Sequence, residues 1–275
     1  MSLLKAIFLG IFQGITEFLP ISSSGHLVLL QKLFGIDEGN LFFTVMLHFG
    51  TLISIFIVYF KDIVNIISEF IKFIVELLKD KKIKINNEYR KLGIMIIIGS
   101  IPTALMGILL EDIFESFYNT TIIIGLALIF TGILLWAAEK IKSGKKSIRK
   151  MTVKDAIVIG TFQGMAITPG LSRSGSTIVG GLFMGLNKKN ATRFSFLLAL
   201  PATFGASLLE LSKTLTTNLS DISFLIVIAG ILSSCITGIF SIKFLIKVLE
   251  KGKLYYFSYY VWFLGLIVIL LELIK

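Results

Sequence analysis

A chain of 275 residues with 55% hydrophobic and only 16% charged side chains is not a water-soluble globular domain, because several of its apolar runs approach the roughly 20 residues that cross a bilayer. Its net charge of +10 does not point to nucleic acid: 22 of the 27 Lys and Arg fall in four stretches, eight in 61–91, seven in 139–155, three in 188–193 and four in 243–253, the loop bias that marks a cytoplasmic face. The one cysteine, Cys235 beside Ser233, Ser234 and Thr237, excludes a disulfide framework and reads as a small packing residue.

The chain opens on residues 3–12, apolar but about ten residues long, and 27–34, about eight. At 1.5 Å per residue each reaches only about half of a roughly 30 Å hydrocarbon core. Between them Gln13 to His26 carries Gly, Pro and three serines, and such backbone at membrane depth is tolerated only inside protein or along a watery cavity. This predicts a re-entrant helix pair. Lys5 and the apolar start resemble a signal peptide, but no small-residue cleavage site follows and the segment has an internal copy, so it reads as structure.

Spans are predicted at 40–60, 92–110 and 118–138, then at 191–210, 222–242 and 254–273. The insert 61–91 places Ile63, Ile66, Ile67, Phe70, Ile71, Ile74, Leu77 and Leu78 on one helical face and Lys61, Asp62, Asn65, Glu69, Lys72, Glu76 and Lys79 on the other, as in a helix lying on the membrane surface. His48, between Leu47 and Phe49 within a span, reads as a packing residue.

The second half repeats the first. Ala6, Ile7, Gly10, Phe12, Gln13, Gly14, Ser22, Ser24, Gly25 and Gly35 recur 150 residues later, without a gap, as Ala156, Ile157, Gly160, Phe162, Gln163, Gly164, Ser172, Ser174, Gly175 and Gly185. Identities concentrated in Gly, Ser and Gln mark a duplication. If 61–91 and 139–155 are cytoplasmic, the first pair enters from outside and the second from the cytoplasm. The loop with Glu111, Asp112 and Glu115, which holds no Lys or Arg, is then external. One pair plus three spans per copy makes the copies inverted, their broken tips meeting near the midplane and both chain ends outside. The expectation is an all-α polytopic membrane protein of one domain, 1–275: repeat one over about 1–140, repeat two over about 151–275, six spans and two re-entrant pairs.

The tips hold the chemistry. Glu17, His26 and Arg173 are their ionisable groups, and charge at mid-bilayer is costly enough that such residues usually face a cavity and work there. Ser-x-Ser-Gly before an apolar helix offers hydroxyls and N–H groups to an anion, with the helix dipole assisting. Phosphate fits, and the Arg173 fork suits its oxygens. The catalytic candidates are therefore Glu17, Ser23, His26 and Arg173. The phosphate-binding candidates are Gln13, Ser22, Ser24, Gly25, Ser172, Ser174, Gly175 and Thr177. His26, three residues after Ser23, is expected within reach of that serine and the phosphate. No His/Cys cluster has metal-ligand spacing, but a divalent cation, Mg²⁺ or Ca²⁺, held by Glu17 and the phosphates is compatible with this set.

With Glu17-Phe18-Leu19-Pro20-Ile21-Ser22-Ser23-Ser24-Gly25-His26 and Pro169-Gly170-Leu171-Ser172-Arg173-Ser174-Gly175 in hand, the chain closely resembles, over its whole length, the undecaprenyl-diphosphate phosphatases of the bacitracin-resistance type. The resemblance implies an inverted-repeat enzyme of the bacterial plasma membrane, its site open to the extracytoplasmic side. It implies hydrolysis of the C55 isoprenoid diphosphate to monophosphate and inorganic phosphate, which recycles the carrier lipid for cell-wall synthesis and confers bacitracin resistance. A homodimer is expected on the same ground. Gln13 stands where many relatives carry Glu, which shifts weight onto Glu17. Either Ser23 attacks phosphorus with His26 assisting, or Glu17 activates water. A polyprenyl-phosphate transporter or flippase is the alternative, since broken helices in inverted repeats also build carriers. A third class, membrane phosphatases with a second His after Ser-Arg, fails because there is no His beyond His48.

Overall fold

Every regular element of any length is helical in the computed structural model, which describes residues 2–34, 41–80, 85, 87–118, 120–141, 144–216 and 223–274. In chain order these are α1 (Leu3–Phe18), α2 (Ser23–Phe34), α3 (Leu41–Val58), α4 (Phe60–Asp80), α5 (Glu88–Leu109), α6 (Glu111–Tyr118), α7 (Thr121–Lys140), α8 (Val153–Met165), α9 (Arg173–Phe183), α10 (Lys188–Thr216), α11 (Phe224–Glu250) and α12 (Tyr255–Leu273). Gly35 and residues 81–84 and 86 of the insert lie outside the described residues.

Among the described residues four helices, α5, α7, α11 and α12, are long and apolar enough to cross a membrane, and α3 makes a fifth if joined with α4 across an 81° bend, where six spans were expected. The span expected at 191–210 is α10, whose first turns carry Lys188, Lys189 and Arg193 and whose interior contains Pro201. Charge at its start and hydroxyls farther along keep it less apolar than the other four. The protein is nonetheless all-helical and polytopic.

Short helix pairs stand where the broken segments were predicted. Small residues let them pack backbone to backbone on the long helices, the usual solution where lipid offers no hydrophobic drive between helices. A Cβ on Gly10 of α1 would fall 2.5 Å from Gly230 O of α11, and one on Gly14 would fall 2.4 Å from Ser234 O. In the second half, α8 crosses α5 the same way: a Cβ on Gly160 would lie 1.9 Å from Gly99 O, and one on Gly164 2.5 Å from Met106 Sδ. The tips meet each other by the same offset of 150. Gly25 abuts Gly170 Cα and Gly175 abuts Pro20 Cβ, each at 3.2 Å from the missing methyl.

The two turns differ in conformation. The first passes through Ser22, a non-glycine residue with φ +68°, while the second passes through Gly170, φ +91°. Any side chain at Gly170 would be strained by that φ and would also strike Ile124 O at 2.4 Å.

Charged networks fasten the end where the basic stretches lie. Arg90 of α5 donates to Glu76 (2.6 and 3.0 Å) and Glu69 (3.3 Å) of α4. Arg193 of α10 is held by Asp62 at 2.6 Å and by Glu88. Lys146, in the connection between the two halves, donates to both carboxylate oxygens of Asp155 (3.1 and 2.9 Å), and that carboxylate also closes a capping box with Thr152 at the start of α8. With Glu69 and Glu76 turned to Arg90, α4 leaves Ile67, Phe70, Ile71, Ile74, Leu77 and Leu78 exposed, an uncovered apolar face suited to a membrane surface.

Candidate active site

The two tips start their second helices alike. Ser22 Oγ accepts from Gly25 N at 3.3 Å and lies 3.3 Å from Ser24 Oγ. In the other copy Ser172 Oγ accepts from Gly175 N at 3.1 Å and lies 3.3 Å from Ser174 Oγ. A side-chain oxygen accepting from a first-turn N–H is the local reason Ser-x-Ser-Gly stops one helix and begins the next. It also makes Ser23 and Arg173 equivalent: each is the first residue of its helix.

Both side chains reach Glu17 at the end of α1. Ser23 Oγ donates to Glu17 Oε2 at 2.6 Å, and Arg173 Nη2 donates to Glu17 Oε1. The remaining capacity of Oε2 is taken by Gln13 Nε2, at 2.8 Å. Glu17 is thus a buried carboxylate with a guanidinium on one oxygen and a hydroxyl and an amide on the other. Arg173 keeps a donor in reserve: Nη1 is buried and has no hydrogen-bond partner among the described residues.

Glu17, Ser23 and Arg173 line a cavity of about 250 Å³ with Ser24, Val45, His48, Thr103, Tyr118, Gln163, Leu171 and Ser172, walled by Ala199, Thr203 and Ser207 of α10; Gln13 lies behind that wall, fully buried. The volume is near the lower end of small-molecule sites, roughly 300 Å³, large enough for a phosphorylated head but not for a long chain. A larger cavity, about 750 Å³, lies at the basic end between Tyr59, Asp62, Tyr89, Lys188, Lys189 and Arg193. It holds none of the tip residues, so size does not choose the site here; the convergence on Glu17 does.

Several expected residues are placed differently. His26 is turned away from Ser23: Nδ1 lies 2.7 Å from Ser22 O and Nε2 2.7 Å from Tyr260 Oη, with the two rings stacked at 6° and Phe12 at 5.6 Å. Its ring nitrogens are thus engaged by Ser22 O and Tyr260 Oη rather than by Ser23, because the helix beginning at Ser23 carries a residue three positions on toward α12. Thr177 donates to Arg173 O at 2.8 Å and pairs with Ser195 Oγ, and Ser174 donates to Leu19 O at 3.3 Å. Those two hydroxyls brace the turn. Ser22 and Ser172 act as caps, and Gly25 and Gly175 form the crossing point of the tips. Ser23, Ser24, Ser172, Arg173 and Glu17 remain on the cavity wall.

His48 also departs from its reading as a packing residue. It lines the cavity, and its Nδ1 sits 2.8 Å from Gln13 Nε2 and 3.3 Å from Glu17 Oε2. Thr103, Tyr118, Thr203 and Ser207 were not singled out from the sequence either. A hydroxyl or an imidazole within an apolar helix carries no local mark of the cavity it will meet. Among the described residues no group of three or more His, Cys, Asp or Glu stands together in a way that would hold a metal ion.

Comparison with known proteins places the chain in a family. A family model described as bacitracin resistance protein BacA matches residues 6–267. The chain is 54% identical over 275 residues to an undecaprenyl-diphosphatase of Alkaliphilus metalliredigens, covering all of both chains. It is 44% identical over 271 residues to one from Halothermothrix orenii, with 98% of each chain covered. It is 43% identical over 278 residues to one from Methanosphaera stadtmanae, with 100% of this chain and 99% of that protein covered.

Proposed function

Because the chain belongs to the bacitracin resistance protein BacA family, we propose that it is an integral membrane phosphatase that hydrolyses undecaprenyl diphosphate to undecaprenyl phosphate and inorganic phosphate. The observation that carries this reading is the convergence of Ser23 and Arg173, one from each half of the chain, on Glu17, with a buried Arg173 N–H left over for an anion.

The chemistry follows from that geometry. The diphosphate head occupies the cavity while the polyprenyl tail stays in lipid. Arg173 takes a phosphate oxygen through Nη1 and, as charge builds on the transferring group, gives it a fixed positive partner. With a phosphate oxygen on Nη1, the guanidinium bridges the anion and Glu17, whose Oε2 keeps its contact with Ser23 Oγ. Glu17 then accepts the Ser23 proton as Oγ attacks the terminal phosphorus. The bond to the bridging oxygen breaks, undecaprenyl phosphate leaves, and water releases inorganic phosphate from the seryl ester. Direct attack by water, with Glu17 taking its proton and Ser23 orienting the phosphate, uses the same contacts. Assistance from His26 has no support in its bond to Tyr260. A divalent cation would be held by Glu17 together with the diphosphate oxygens, the arrangement Mg²⁺ uses where no all-protein cage exists, and would add charge neutralisation.

The proposal includes the inverted topology. The contacts repeated at an offset of 150 residues support it, as does the charge asymmetry between the acidic α6 and the basic stretches. In that frame the cavity, flanked by Tyr118 at the end of α6, opens to the extracytoplasmic side, six segments span, and both ends lie outside. A homodimer is added on the family resemblance alone. Transport without hydrolysis is not favoured by the family.

The test is release of inorganic phosphate from a C55 diphosphate by the purified protein in detergent, beside Glu17→Ala and Arg173→Ala, with and without a chelator. Release lost in both variants supports the enzyme, and chelator sensitivity reversed by Mg²⁺ or Ca²⁺ supports the cation. No release from folded wild type overturns the reading and leaves transport.

A further inference from the structure

His48 is a cavity residue that neither the tip motifs nor the repeat accounts for. Its side chain is 27% exposed, it lines the same cavity as Glu17, Ser23 and Arg173, and its Nδ1 receives a 2.8 Å contact from Gln13 Nε2. Gln13 is 0% exposed, and its amide nitrogen faces two partners, Glu17 Oε2 and His48 Nδ1, both at 2.8 Å. A carboxylate only accepts, so the group beside Glu17 is the NH₂ and not the carbonyl. Its two hydrogens then go to the two partners. Gln13 Oε1 is left buried without a partner among the described residues, which is the cost of that orientation.

An NH₂ cannot accept a hydrogen bond, so His48 Nδ1 is the acceptor in this pair. In a neutral imidazole the proton then resides on Nε2. The approach of Nδ1 to Glu17 Oε2, at 3.3 Å, is longer than either Gln13 bond. Nε2 has no hydrogen-bond partner among the described residues, on a ring that forms part of the cavity wall.

We infer that His48 is a phosphate-binding residue of this site, donating from Nε2 to an oxygen of the diphosphate, and that Gln13 is the positioning residue that fixes the required tautomer. The inference rests on the phosphatase reading for its substrate. It gives Gln13 a reason to be an amide: a single NH₂ satisfies Glu17 and orients His48 at once, which a carboxylate at that position cannot do. With Arg173 on one flank and His48 on the other, the head group is gripped from both halves of the cavity.

Two measurements test it. Glutamine at position 48 places its amide nitrogen near the position of Nε2, and asparagine places its own near Nδ1, so the pair separates a donor at the right point from mere volume. His48→Gln should keep KM close to wild type, whereas His48→Asn should raise KM about tenfold with kcat largely retained, the lower end of what loss of a hydrogen bond to a charged group costs. An unchanged KM in His48→Asn overturns the inference. The chain has two histidines, so one substitution assigns the ring resonances of protein labelled with ¹⁵N-histidine. His48 should show the Nε2–H tautomer and shift on addition of inorganic pyrophosphate, and Gln13→Met should abolish the tautomer preference. An Nδ1–H tautomer, or no shift with pyrophosphate, also overturns it. If wild type releases no phosphate from the C55 diphosphate, the functional reading fails, while the pyrophosphate shift still decides whether His48 meets an anion.

Discussion

Ser23 and Arg173 occupy equivalent positions 150 residues apart, each the first residue of the second helix of its pair, and both bind the carboxylate of Glu17. Duplication supplied two copies of one helix start, and divergence at this position made one a hydroxyl and the other a cation. The partner of Glu17 in the second copy is Ile167, so the carboxylate is single. A site built this way depends on both halves being docked.

Arg173→Lys should fold and lose most activity. Lysine keeps the charge but cannot hold Glu17 through one nitrogen and offer a second donor to phosphate. Removing one preorganised transition-state donor costs about 10²–10³ in kcat, and steady-state phosphate release measures it. Near-normal turnover would show that only the charge matters.

Ser23→Ala distinguishes the two chemical routes. If the hydroxyl is the nucleophile, rapid quenching of wild type with labelled substrate traps a phosphoserine and the alanine variant is inactive. If Ser23 only orients phosphate, no phosphoenzyme forms and Ser23→Ala retains activity lowered by about tenfold, the scale of one lost hydrogen bond to a charged group.

Gly160→Ala should destabilise the fold. The new methyl would sit 1.9 Å from Gly99 O, so α8 must move off α5. Overpacking of this kind costs about 1–3 kcal/mol or more, and a thermal-shift assay in detergent should register a clear drop. Gly205→Ala is the control, because a Cβ there meets nothing within 4 Å.

Labelling should report the topology. In a Cys235→Ser background, Glu115→Cys on α6 should react with a membrane-impermeant maleimide added to intact cells, and Lys150→Cys should react only after permeabilisation. The reverse pattern would invert the molecule and turn the catalytic cavity toward the cytoplasm.

Much of this protein was legible before its structure. Short apolar runs flanking Gly, Pro and Ser at both tips gave the helix pairs, and the amphipathic period over 61–79 gave α4. Glu17, Ser23 and Arg173 were legible because a charge or a hydroxyl is conspicuous in an apolar chain. Less was legible at the ends of helices: the span expected at 191–210 is a longer helix, α10, that starts at Lys188 and runs to Thr216 with Pro201 inside it.

What the sequence determined by itself is local and periodic: which segments are helical, where two of them break, and which residue types occupy the breaks. What the tertiary structure decided is direction. His26 lies three residues from Ser23 in sequence yet bonds Tyr260 on α12, and His48, 35 residues from Gln13, meets it in the cavity. A helix fixes the angle between its own side chains, but the neighbour each one meets is set by how the helices cross. Here that is decided by close contacts such as Gly10 on Gly230 and Gly160 on Gly99, which no local pattern contains.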